Sequence, residues 1–154
     1  METYNADAQV GESSACATAL MCGVKANFET VGLDAKARFE NCASTYASRV
    51  PSLLTWAQQE GKATGVVTNT RLTHATPAAL FAHAASRYWE DDGKVPSSSR
   101  RVCKDIARQL VEDEPGRSVN NKVTLRVRVK ERSVLTRLMA LQGRTETRLD
   151  LRRY

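Results

Sequence analysis

A chain of 154 residues with 42% hydrophobic content has room for one globular domain and not for two ordinary ones. The formal charge of +6 is unevenly placed: residues 1–116 carry 12 Lys+Arg against 14 Asp+Glu, and residues 117–154 carry 11 against 3. The basic excess therefore belongs to the C-terminal part, and that tail has no aromatic residue before Tyr154 to stack on a base. No apolar run approaches the roughly 18 residues that would span a bilayer. The opening METYNAD has neither a basic nor an apolar stretch, so no signal peptide is expected and the chain taken literally reads as cytosolic. Four cysteines, Cys16, Cys22, Cys42 and Cys103, lack the paired spacing of a zinc finger. Cys16 and Cys22 lie in an apolar stretch and read as small core residues. Cys42 and Cys103 lie among polar residues and are able to pair if the parent protein is exported.

In chain order, residues 11–23 (GESSACATALMCG) predict a short buried helix, with Ser13 or Ser14 as N-cap and Gly23 just beyond its end. A loop-rich stretch follows to about Arg49. Pro51 opens an amphipathic helix, PSLLTWAQQEG, that Gly61 closes, and residues 63–70 (ATGVVTNT) fit a buried strand. Thr76 caps a second helix over TPAALFAHAA with Pro77 in its first turn. A polar loop over about 90–99 precedes a further amphipathic helix, SRRVCKDIARQLVED. Alternation over Val123–Val129 predicts a strand and residues 131–142 a helix, while residues 143–154 have no period and are expected to stay disordered. This succession argues for an α/β layer structure with a parallel sheet.

A serine at a helix N-terminus meets unpaired backbone N–H groups and the positive end of the helix dipole, which suits phosphate, although capping is the ordinary role of such a residue. Thr76 has the same ordinary role, but it follows a strand, at the sheet edge where α/β folds bind ligands. His74, His83 and Arg87 read as a loop histidine, a helix histidine and a helix-end arginine. From residue types alone the chain is an α/β domain with a possible anion site.

Two segments taken together carry more. The stretch from Glu12 through CGVK to Leu33 resembles the animal alkaline phosphatase signature, an Asp-Ser pair followed by Ala/Thr-rich residues and Cys-Gly-Val-Lys. The stretch from Gly65 to Trp89 resembles that family's Val-Thr-Thr-Thr-Arg, His-Ala-Thr/Ser-Pro and Ala-His segments, in the same order and spacing. The resemblance covers about Thr3 to Gly116. It implies an incomplete fragment of a large parallel-sheet alkaline-phosphatase-like fold: a partial catalytic domain over 3–116 and an unrelated basic tail over 117–154. It also implies hydrolysis of phosphate monoesters through a phosphoserine intermediate with Zn2+ and Mg2+. Position by position, Ser13 matches the nucleophile and a zinc ligand, Thr76 a magnesium ligand, His74 a residue next to magnesium, and Arg87 the arginine that grips two phosphate oxygens. A guanidinium fork meets two oxygens at once, and a metal ion makes a serine hydroxyl a usable nucleophile. Cys42 and Cys103 match a pair that is disulfide-bonded in the animal enzymes, Cys22 matches an unpaired cysteine, and Cys16 stands where threonine is commoner. The parent is implied to be a homodimer at the cell surface or outside the cell, lipid-anchored.

The departures matter equally. Glu12 replaces the family's aspartate one methylene further out, which is expected to weaken the orientation of Ser13. The family's remaining Asp, His and Glu metal ligands have no counterpart here, so little or no activity is expected from the chain alone. Strands meant for the middle of a large sheet would also expose unpaired edges, which favours aggregation. VTLRVRVKERS stands where a glycine-rich turn belongs, which suggests a shifted reading frame or retained intron. Thr76 and Arg87 would lie roughly 16 Å apart on one straight helix. The helix after Pro77 is therefore expected to end or bend near His83–Ser86. Two other readings stand beside the phosphatase fragment: a nucleic-acid-binding protein acting through the tail, and an inactive partner that docks on a full-length phosphatase.

Overall fold

A glutamate, not a serine, starts the first helix. In the computed structural model, which describes residues 4–124, α1 runs over Ser13–Cys22 with Glu12 as its N-cap. The extended Glu12 backbone turns its carboxylate onto the amides of Ser14 and Ala15. Two anionic oxygens at the positive end of the helix dipole outcompete a single hydroxyl. The expected capping by Ser13 or Ser14 is thus corrected, and both serines lie inside the first turn. At the other end Gly23 takes φ 75° and donates to Ala19 O, as its position predicts. Ala15, Ala17, Thr18 and Cys22 face inward, whereas Ser13, Cys16 and Leu20 form an outward stripe. Cys22 is the small core residue expected of it, and Cys16 is not: three and four residues from Ser13 and Leu20, it shares their exposed face.

The stretch up to Arg49 is loop apart from a 3₁₀ turn at Cys42–Thr45. It carries two isolated antiparallel bridges, Val31 with Ala84 and Leu33 with Arg49. Between them Gly32 sits at φ +63°, where an added Cβ would lie 2.1 Å from the backbone oxygen of Ala82. Only glycine permits that approach. Helix α2, Leu53–Gln59, is opened by Ser52, which forms a capping box with Thr55, so Pro51 lies outside the helix. Strand β1, Gly65–Thr68, falls inside the predicted span but is not the buried strand expected: Val66 is buried, whereas Gly65 and Val67 are exposed.

Helix α3 is only Ala75–Ala78, with His74 at the N-cap position and no side-chain cap. Both the expected length over 76–85 and the expected Thr76 cap are corrected. The chain cannot stay helical past Ala82, because Ala84 exchanges both backbone hydrogen bonds with Val31 and the Ala82 carbonyl packs on Gly32. The break falls even earlier than the His83–Ser86 region. Helix α4 is also shorter than expected, Ile106–Glu112 rather than 99–113. Asp105 caps it by accepting from Arg108 N, and Cys103 is held to Cys42 by the disulfide that the family resemblance implied. Strand β2, Asn121–Thr124, pairs parallel to β1 in the register Gly65 with Asn121 and Thr68 with Thr124. The remainder of the predicted 123–129 strand, the 131–142 helix and the 143–154 end lie outside the described residues.

The described residues form a small α/β fragment with one parallel strand pair, as the element order argued. A main core joins Val31, Leu54, Val66, Phe81, Ile106 and Leu110. A second, smaller cluster packs Trp89, Ala85 and Val95 on Cys42. The two cores meet at residues 84–89, the segment that delivers Arg87.

Candidate functional site

Three segments converge at the N-terminus of α1. Residues 84–89 leave the Val31 bridge, and the Arg87 amide donates to Glu29 O over 2.8 Å. The Arg87 guanidinium then reaches the residue before Ser13: Nη1 donates to Glu12 Oε1. From the third segment, His74 places Nε2 3.4 Å from Arg87 Nη2. Because α3 stops at Ala78 and the chain doubles back, Arg87 returns to His74 despite a sequence separation of 13. Thr76 lies two residues beyond His74 on α3 and is exposed, as is Ser13 at the first position of α1.

Glu12 is the hub. Its carboxylate accepts from the amides of Ser14, Ala15 and Glu29, from the Ser14 hydroxyl and from Arg87. Burial pushes the carboxyl up, but the Ser14 hydroxyl, the two helix amides and the Arg87 charge outweigh it and hold the group below the ordinary carboxylate value. The helix N-terminus is therefore already occupied by an anion from the chain itself, which corrects the reading of free amides awaiting phosphate.

Burial, and after it the charges of Arg87 and Arg71, push the His74 imidazole below its ordinary value. With Nε2 turned to a guanidinium donor, the proton sits on Nδ1, a buried atom without a hydrogen-bond partner among the described residues. His83 lies apart, donating from Nδ1 to Gly32 O, and it lines a different cavity of about 700 Å³ with Arg49, Lys62 and Glu114.

Residues 1–121 match the family model for alkaline phosphatase. The chain belongs to that family. The tissue-nonspecific alkaline phosphatase of Gallus gallus is 52% identical over 115 residues, 74% of this chain and 22% of that protein. Alkaline phosphatase 4 of Drosophila melanogaster is 50% identical over 119 residues, 77% of this chain and 20% of that protein. The present chain thus spans about a fifth of the length of these relatives. Among solved structures, a mutant of the alkaline phosphatase from the Antarctic bacterium TAB5, with magnesium bound, superposes with a TM-score of 0.62 at 23% identity. It covers 92% of this chain and 35% of that one, and at this identity the likeness speaks for the fold alone.

Among the described residues no group of three or more His, Cys, Asp or Glu is placed to hold an ion. Ser13 and Thr76 supply neutral hydroxyls, and the carboxylate next to Ser13 in the chain, Glu12, is committed to five donors. Zinc and magnesium sites need several anionic or imidazole ligands, so this donor set does not fit either ion without residues from elsewhere in the family fold. Sequence reading missed the hub role of Glu12, whose local signal was an acid immediately before a helical first turn. It also missed Glu29 and Glu90, which act through the fold and leave no local pattern.

Proposed function

We propose that this chain carries the nucleophile-bearing part of an alkaline phosphatase whose parent hydrolyses phosphate monoesters through a phosphoserine at Ser13. In this reading the Ser13 oxygen attacks phosphorus in line as the ester P–O bond breaks and the alcohol leaves with the proton, water later cleaving the phosphoserine; Arg87 holds two equatorial oxygens, and Thr76 and His74 border the magnesium position. Metal cofactors are suggested by family membership and by the magnesium of the TAB5 mutant structure; zinc beside Ser13 rests on the resemblance alone. The catalytic segment corresponds to 3–116 and the basic segment over 117–154 stands outside it. The parent is proposed to be a secreted or lipid-anchored surface homodimer. Among the described residues no helix is long and apolar enough to cross a membrane.

The observation that supports this reading best is the contact of Arg87 with both Glu12 and His74, which gathers the Ser13, His74–Thr76 and Arg87 segments around one guanidinium. The test is titration of the ¹⁵N-labelled chain with inorganic phosphate. Shifts are expected at residues 12–15, 74–76 and 87, and Arg87→Lys is expected to weaken them about tenfold, because an ammonium has no two-pronged fork. Shifts confined to residues 117–154, or none at all, would overturn the proposal.

A further inference from the structure

Arg87 and His74 come from different loops, and nothing in the Arg87–His74 contact itself is strong enough to hold those loops in register. A second set of bonds does that. Glu90, three residues beyond Arg87, receives Arg71 in a fork: Arg71 Nε to Oε2 at 2.7 Å and Nη2 to Oε1 at 2.8 Å. The Thr73 hydroxyl also donates to Glu90 Oε2 at 2.8 Å. Arg71 and Thr73 flank the tight turn in which His74 N donates to Arg71 O, immediately before α3.

Glu90 itself stands on a firm base. Its neighbour Trp89 is 1% exposed and belongs to the cluster on the Cys42–Cys103 disulfide. The carbonyls of Trp89 and Glu90 take the first amides of α4, from Ile106 and Ala107. The Glu90 side chain is 13% exposed, and the Arg71 side chain that meets it, 50% exposed, closes over it from the solvent side. Burial raises this carboxyl, yet the bonds from Arg71 and Thr73 and the Lys94 charge bring it below the ordinary value, consistent with an anion that stays paired.

We infer that Glu90 is a positioning residue for the proposed phosphatase site: it clamps the loop carrying His74 and Thr76 onto the segment carrying Arg87. The inference rests on the reading given under Proposed function for its consequence in phosphate binding, but the clamp itself is testable without phosphate. Glu90 touches no reacting atom. It acts through Arg71 and Thr73, and their loss would let His74 swing away from Arg87 while both cores stay packed.

The experiment compares the full chain with its Glu90→Gln, Glu90→Asp and Arg71→Lys variants by amide hydrogen exchange and by the cross-peak between the His74 ring and the Arg87 side chain. In Glu90→Gln, exchange of the His74 amide is expected to quicken about tenfold, the usual worth of a charge-assisted pair. The cross-peak should vanish, with Val31, Ala84 and Ile106 amides unchanged. Glu90→Asp should recover part of the protection, and phosphate affinity should follow the same order. Should Glu90→Gln unfold the chain, Arg71→Lys keeps the charge, loses the fork and serves as the milder case. An unchanged His74 amide and cross-peak in a folded variant, or protection lost equally at Val31 and Ala84, would overturn the clamp. A wild-type chain that shows the clamp but no phosphate shifts at Arg87 would refute the phosphatase reading and leave Glu90 as an organiser of the loop.

Discussion

Gly32 and Gly23 offer a matched pair of tests for what holds Arg87 in place. Both have positive φ, +63° and +75°, so alanine at either position suffers the left-handed penalty of about 1–2 kcal/mol. At Gly23 an added Cβ meets nothing within 4 Å, and the penalty ends there. At Gly32 it would sit 2.1 Å from Ala82 O, with Ala82 C at 3.2 Å and His83 Nδ1 at 3.1 Å. The nearest obstacle is backbone and has no rotamer to yield, so the segment must move by more than an ångström. Such overpacking adds about 1–3 kcal/mol or more. Gly32→Ala should therefore destabilise by about 2 kcal/mol beyond Gly23→Ala. Because Val31 and Ala84 exchange both backbone bonds beside Gly32, the shift should also detach Arg87 from Glu12. Urea unfolding followed by circular dichroism measures the first effect, and the Arg87 side-chain resonance reports the second. If the two variants agree within about half a kcal/mol, the close approach of residues 32 and 82 does not carry the weight given to it.

Two further outcomes follow from the same contacts. Reducing Cys42–Cys103 opens a loop with a sequence separation of 61 residues, which chain entropy values at about 4 kcal/mol, so thermal unfolding should shift down sharply in reductant; an unchanged midpoint would show that the Trp89 cluster holds without the bond. Burial lowers the His83 imidazole, with the Gly32 carbonyl opposing. A depressed folded value means that its stabilisation is present above the unfolded value of about 6.5 and is lost as pH falls below it. Glu12 and Glu90, also depressed, continue the loss below about pH 4.3. Urea midpoints should fall steadily on acidification, and His83→Gln should flatten the upper part of the curve; stability that rises on acidification would contradict the assignment.

What could be read from the sequence followed the range over which the determining forces act. The Gly23 stop, the β1 strand and the order of elements are local matters of backbone freedom and side-chain period. The Ser52 cap was missed by one residue because Pro51 merely restricts the turn outside the helix. Thr76 was misassigned as a cap, and α3 overextended, because the force that ends the helix comes from Val31 and Gly32, more than forty residues away in sequence. The same holds for α4, whose start is set by Asp105 together with the Trp89 and Glu90 carbonyls. Family resemblance supplied the Cys42–Cys103 pairing. It could not supply the response to glutamate at position 12, which in this chain serves as helix cap and Arg87 partner together.

That double duty bears on whether the chain can work alone. A serine hydroxyl becomes a nucleophile only when a cation or base stabilises its alkoxide, worth several kcal/mol at the transition state. Next to Ser13, the Glu12 carboxylate is saturated by hydrogen bonds and paired to Arg87. His74 Nε2 faces the Arg87 guanidinium rather than a proton to be removed. Among the described residues no cluster of three or more His, Cys, Asp or Glu can bring a cation to the hydroxyl. Hydrolysis of p-nitrophenyl phosphate by the purified chain, with zinc and magnesium supplied, should match buffer alone. Zinc-dependent turnover that disappears in Ser13→Ala would show that a metal is captured by ligands this geometry does not provide.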